Sequence, residues 1–225
     1  MSATTFSTSP TSDRPWVHEM VIVHRAFRRE TRLLPGLVRE VADGDVERAS
    51  TLSDGLRLVL SGLEMHHTGE DAVLWPALLE RAAPSTGLVE TMQAQHHGIE
   101  DHLERVGHLL PAWETGPTRA RGAELADVLD RFAADLAEHL DLEEREILPL
   151  CLRYVTVAEW DSLGQHGMES MTRSQLPILF GAILEDCSPE ERRAMLAKLP
   201  LPARVLVRTL GARQYRRFVS RVRQG

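Results

Sequence analysis

His66-His67-Thr68-Gly69-Glu70-Asp71-Ala72-Val73-Leu74-Trp75-Pro76 decides the fold, because its pattern returns at His139-Leu140-Asp141-Leu142-Glu143-Glu144-Arg145-Glu146-Ile147-Leu148-Pro149. Both stretches read His-x-x-x-Glu, then an apolar pair, then Pro. On an α-helix, residues i and i+4 share a face about one turn apart. Each copy therefore projects an imidazole and a carboxylate into the same space.

Two more histidines extend the pattern. His24 precedes His66 by 42 residues, and His96 precedes His139 by 43. Adding 72 or 73 carries His24 to His96, His66 to His139, Glu70 to Glu143 and Pro76 to Pro149. This is an internal repeat of two helix pairs. The expected fold is all-α: an antiparallel up-down four-helix bundle with a C-terminal helical extension. Four His and two Glu then converge near the bundle axis, where such folds build metal sites.

The residue types specify the chemistry. Two carboxylates facing each other in a core are costly unless divalent cations neutralise them. A nitrogen and oxygen donor set without thiolate argues against a closed structural zinc site. Imidazole together with carboxylate fits a pair of iron ions best, with zinc and manganese left open. Glu70 and Glu143 are expected to bridge the two ions, with His24, His66, His96 and His139 as terminal ligands. Six side chains leave coordination positions for a bridging oxygen and an exogenous ligand. His67 with Asp71, and His97, offer a shifted register. The Pro-anchored frame favours the stated set and places His67 and His97 beside it or on the surface. Glu100 reads equally as a further ligand or gate and as an exposed ion-pair partner.

Composition agrees with a helical protein. The 225 residues are 43% hydrophobic and only 5% aromatic, and almost no stretch alternates with period two. Net charge is −7, yet residues 201–225 hold seven Arg and no acid, leaving −14 on the rest. Cys151 and Cys187 form no CxxC and no disulfide framework, which suits a reducing cytoplasm. No apolar run approaches a membrane span. The Ser/Thr-rich start has no hydrophobic centre, so residues 1–14 are expected to be a disordered tail and not a secretory signal.

Domain boundaries follow: a bundle over 15–154 and an extension over 155–225. The first helix should run from Pro15 or Trp16 toward Ala42, kinked or broken at Pro35-Gly36. The second spans Val46 to Ala82, with Gly69 and Pro76 speaking against one straight helix. The third covers Leu88 to Trp113 and the fourth Arg119 to Tyr154. In the extension, helices are expected over Val157–Met168 and Ser174–Asp186. Another follows the cap Ser188-Pro189-Glu190-Glu191. The last, Ala203 to Arg223, is basic and amphipathic. Such a helix can contact nucleic acid or an anionic membrane, or pack its apolar side on the acidic bundle. The second reading is preferred.

Residues 16–154 resemble the hemerythrin-like, or HHE cation-binding, family, whose pattern is His, His-x-x-x-Glu, His, His-x-x-x-Glu. The likeness is to actinobacterial members with His-Arg-Ala-Phe-Arg-Arg-Glu early and a Leu-Trp-Pro ending. It implies a non-haem di-iron centre, oxo- or hydroxo-bridged. It also implies binding of or reaction with O2, H2O2 or nitric oxide, with a role in oxidative-stress defence, or else oxygen or iron sensing. The match departs from hemerythrins proper, which carry His-x-x-x-His on the third helix and His-x-x-x-x-Asp on the fourth. One histidine fewer than in reversible oxygen carriers weighs toward catalase- or peroxidase-like turnover. A non-enzymatic module, whose metal occupancy governs a partner surface, is the alternative.

Overall fold

Apolar residues recur at three- and four-residue intervals in four long segments, and all four fold as helices. The computed structural model describes residues 6–11, 13–172 and 174–224. The bundle helices are α1 (His18–Glu40), α2 (Val46–Arg81), α3 (Thr86–Thr115) and α4 (Arg119–Leu142). A π-helical turn (Glu143–Ile147) and α5 (Leu148–Tyr154) continue α4. Short connections make successive helices antiparallel neighbours. The α1–α2 and α3–α4 turns meet at one end, where the Gly44 N–H donates to the Pro117 carbonyl at 2.9 Å. No strand occurs among the described residues.

Prolines interrupt less than their chemistry suggests. Pro35, Pro76 and Pro111 each lie inside a continuous helix. The break expected at Pro35-Gly36 is absent. Each proline costs one backbone hydrogen bond, but the buried neighbours Leu34 and Val38 pin α1 to the core on both sides. The fourth helix does change: Pro149 has no N–H for the Arg145 carbonyl, and the chain takes the wider π turn just before it.

The core is split by a polar layer. One apolar cluster includes Phe27, Leu63, Ile99 and Leu136. The other includes Met20, Leu74, Met92 and Ile147. In each helix the chemically active residues fall between the two: His24 between Met20 and Phe27, Glu70 between Leu63 and Leu74, His96 between Met92 and Ile99. On the last helix, His139 and Glu143 lie between Leu136 and Ile147.

The extension packs on α2. It comprises α6 (Val157–Ser170), α7 (Leu176–Glu185), α8 (Pro189–Ala197), α9 (Leu201–Leu206), a second π-helical turn (Val207–Gly211) and α10 (Ala212–Gln224). Gly55, Gly62 and Gly69 stand seven residues apart along one line of α2. A Cβ at these positions would meet Val222 of α10, Leu179 of α7 and Leu163 of α6, at 3.3, 3.1 and 3.3 Å. The missing side chains are what let three helices approach. The cap expected at Ser188 starts α8, and Glu191 completes it as a capping box. The terminal helix packs its apolar side inward, burying Tyr215 and Val222. Arg223 reaches Glu30 and Glu185 at 2.5 and 2.9 Å.

Residues 1–5 and 12 of the expected tail lie outside the described residues. The described part has no helix but is held: Trp16 donates its indole N–H to the Ser7 carbonyl at 3.0 Å, and Phe6 packs against the second cluster.

Candidate metal centre

The six expected side chains meet, and a seventh joins them. His24, His66, Glu70 and Glu143 form one group, and His67, Glu70, His96 and His139 form another. Within each group the donor atoms all lie within 4.8 Å of one another. Glu70 belongs to both. One of its oxygens lies 3.2 Å from His66 Nε2 and the other 3.4 Å from His96 Nε2. Glu143, expected as a second bridge, belongs to the first group alone: the same Oε2 lies 3.3 Å from His24 Nε2 and 4.0 Å from His139 Nε2. Two donors held ~2.1 Å from one ion at a right angle stand ~3.0 Å apart. The observed separations are close to that spacing.

Most of the donors are fully buried and lack partners; His66 keeps a slight exposure, and its Nε2 lies 3.2 Å from His24 Nε2. Both oxygens of Glu70 and of Glu143, and Nε2 of His67, His96 and His139, are enclosed without a hydrogen bond. Orphaned polar atoms in a core cost about 1–3 kcal/mol each, more when charged. Seven of them aimed into one space fit a cation that satisfies them together. The donor set therefore suits the group that its chemistry suggests.

The outer nitrogens of three rings are fixed. His24 Nδ1 donates to Glu144 at 2.9 Å, His96 Nδ1 to Asp71 at 2.9 Å and His139 Nδ1 to Gln95 at 3.2 Å. A carboxylate can only accept, so for His24 and His96 the Nδ1 carries a proton and Nε2 is left to face the centre. Outer partners of this kind orient ligands and raise their basicity. Glu144 and Gln95 were not expected from the sequence, and Asp71 only as an alternative ligand with His67; the signal was an acid or amide one residue from an expected ligand.

Charge follows the same geometry. Burial pushes the His66, His67 and His139 pKa values down, His139 to about 3, and the neighbouring imidazoles add to it. These rings are neutral donors at neutral pH. Burial also lowers His24, but the Glu143 and Glu144 carboxylates outweigh it and the net shift is upward. Burial and the facing Glu143 push Glu70 well above the usual carboxylate range. For Glu143, burial acts upward, yet His24, His139 and His66 together bring it down. Cys151 is buried beside both carboxylates, and burial keeps its thiol protonated.

His67, left open by the sequence as an additional or neighbouring residue, lies in the second group. It is buried, and its ring stacks on His96 with centroids 4.1 Å apart. Adjacent helical residues point about 100° apart, which is why the sequence pattern favoured only one of the pair. α2 is buried on both sides, by the bundle and by the extension, so both rings are enclosed. His97 and Glu100 do not join the site. They pair with each other at 3.1 Å on the surface, 80% and 60% exposed.

The family model described as the hemerythrin HHE cation binding domain matches residues 17–151, more than half of the chain. The chain belongs to this family. Cation binding by the HHE domain agrees with the enclosed His/Glu groups just described. Among curated proteins, the chain is similar to the iron-sulfur cluster repair protein YtfE of Dickeya chrysanthemi (strain Ech1591). The two are 27% identical over 164 residues, covering 65% of this chain and 73% of that protein. No solved structure matches. Among the described residues, no helix is long and apolar enough to cross a membrane.

Proposed function

We propose that this HHE-domain protein holds two iron ions and reacts with O2, H2O2 or nitric oxide in stress defence in the cytoplasm. One observation carries the reading: two four-donor groups share Glu70, and seven of their enclosed atoms have no other partner. His24, His66 and Glu143 would hold one ion, and His67, His96 and His139 the other, with Glu70 between them. Residues 15–154 supply the centre, and 155–225 cover one side of it. His67 supplies a fifth imidazole, so the count that favoured turnover over storage no longer separates them. An iron pair supplies redox equivalents to a bound oxygen, peroxide or nitric oxide. The protein's part is to keep His66, His67 and His139 neutral, to orient His24 and His96 through Glu144 and Asp71, and to exclude bulk water. A relative named for iron-sulfur cluster repair supports iron over zinc or manganese. The two unpaired cysteines are consistent with a reducing compartment.

The sensor reading has one observation of its own. α2 carries His66, His67 and Glu70 and also presents the glycine line on which α6, α7 and α10 rest. Metal occupancy is thereby tied to the seating of the extension.

Protein purified without a His tag, reconstituted anaerobically with Fe(II), separates these readings. Optical spectra are recorded on adding O2, H2O2 or nitric oxide. Loss of many equivalents of peroxide per chain supports turnover, whereas a stable and reversible spectrum supports a binder or sensor. Failure to retain iron contradicts both.

A further inference from the structure

A second site lies against the first. Between α1 and α2 on one side and α6, α7 and α8 on the other is a cavity of about 210 Å³. Its walls include Met20, Val23 and Phe27 from α1, Leu163 from α6, Leu179 from α7 and Met195 from α8. The α1 lining runs from Glu19 to Glu30, a length of roughly 16 Å at 1.5 Å per residue. His66 forms part of the wall, so the cavity meets the candidate centre at an imidazole edge.

The lining carries no unbalanced charge. At one end Glu19 pairs with Lys198, which also reaches Asp161. At the other, Glu30 pairs with Arg29 and Arg223. A charged ligand would find each of these ions already matched, so the chemistry selects a neutral one. An apolar cavity of roughly 150 Å³ stays dry and accepts benzene, and this one is larger. Four methionines (Met20, Met65, Met171 and Met195) contribute to the wall, and their flexible thioethers adapt to irregular shapes. One wall comes from residues beyond 151, outside the match to the HHE domain. The chamber is therefore a product of the extension.

We propose that this chamber binds one neutral apolar molecule, the size of one or two aromatic rings or a short alkyl chain, against the His66 edge of the metal centre. The inference rests on the di-iron reading only for what the molecule meets at that edge. Binding itself does not require metal.

The test uses 1-naphthylamine, a neutral two-ring fluorophore, with the full chain as purified and with the zinc-loaded chain. Saturable binding of one probe per chain is expected. Filling the chamber from α7, with Leu179→Trp or the milder Leu179→Phe, should weaken it about ten-fold or more, equivalent to about 1.4 kcal/mol. The double variant Leu201→Ser/Leu210→Ser, in the exposed apolar stretch of α9 and the second π turn, should leave it unchanged. In long-range ¹H–¹⁵N spectra of the zinc-loaded chain, the His66 ring resonances should move, while those of surface His108 stay. Three results would overturn the proposal: no saturable binding, binding indifferent to both Leu179 variants in folded protein, or a stationary His66. Metal content is read separately, so a chain that binds the probe but retains no iron refutes the di-iron reading and not the chamber.

Discussion

Replacing Glu70 by Gln tests whether the centre is built for a cation, because the carboxylate is a burden without one and a ligand with one. Both Glu70 oxygens are buried without a hydrogen-bond partner, and Glu143 faces them across the centre. An amide there would be unpartnered too, but a carboxyl that must bury a charge or take up a proton costs on the order of 1–3 kcal/mol more. Gln keeps the shape and needs neither the buried charge nor the proton that burial and Glu143 push the carboxyl to take up. The metal-free variant should therefore be more stable than metal-free wild type by about 1–3 kcal/mol. In a chain of this size each kcal/mol moves Tm by about 2–4 °C, so the rise should lie between about 2 and 12 °C. With metal the sign reverses. An ion at about a thousand times its Kd adds about 4 kcal/mol to the fold that binds it. The variant forfeits whatever part depends on the shared carboxylate. The assay is thermal unfolding followed by circular dichroism, with chelator and with two equivalents of Fe(II) under argon. A variant less stable than wild type in chelator, or one that gains as much from iron as wild type does, refutes the reasoning.

Other outcomes follow from the same geometry. His67→Ala should lower the iron content from two ions per chain to one, read by elemental analysis, since it removes one of three imidazoles from the second group. Asp71→Asn and Glu144→Gln leave the fold intact but should cost roughly 10–100-fold in metal affinity, measured by competition with a chelator. Acid should loosen α8 from α1. Burial acts upward on Glu191, but hydrogen bonds from His18, the Ser188 N–H and Arg25 outweigh it and hold the carboxyl at about 2, below its ordinary 4.5. A depressed carboxylate contributes stability that is present above 4.5 and lost as pH falls toward about 2. Unfolding free energy measured across that window should fall more steeply for wild type than for Glu191→Gln.

Much of this site was legible because its chemistry shares the period of its helices. His24 sits in a buried series with Met20, Phe27, Thr31, Leu34 and Val38, so the pattern that predicts α1 also aims the imidazole inward. The repeat offset then fixed His66, Glu70, His96, His139 and Glu143 on the core side. His67 was legible only as an alternative to His66, since a helix between two layers buries neighbours that a one-sided helix would separate. Asp71 entered only as the partner of His67 in the shifted register, and Glu144 carried no signal of its own, until the structure turned them toward His96 and His24. The π turn was hidden because the Pro149 signal marks a disturbance without saying how the ladder absorbs it. The seat of the extension was written in Gly55, Gly62 and Gly69, but their meaning depends on which helices approach, and that is a property of the fold.

The central claim is that four helices hold two ions within one polar layer of the core. Crystals of the iron-loaded chain, measured at the iron absorption edge, test it directly. Two anomalous peaks are predicted, one enclosed by His24, His66 and Glu143 and one by His67, His96 and His139, with Glu70 between. A single peak, no peak in that layer, or iron only on the surface would contradict the account.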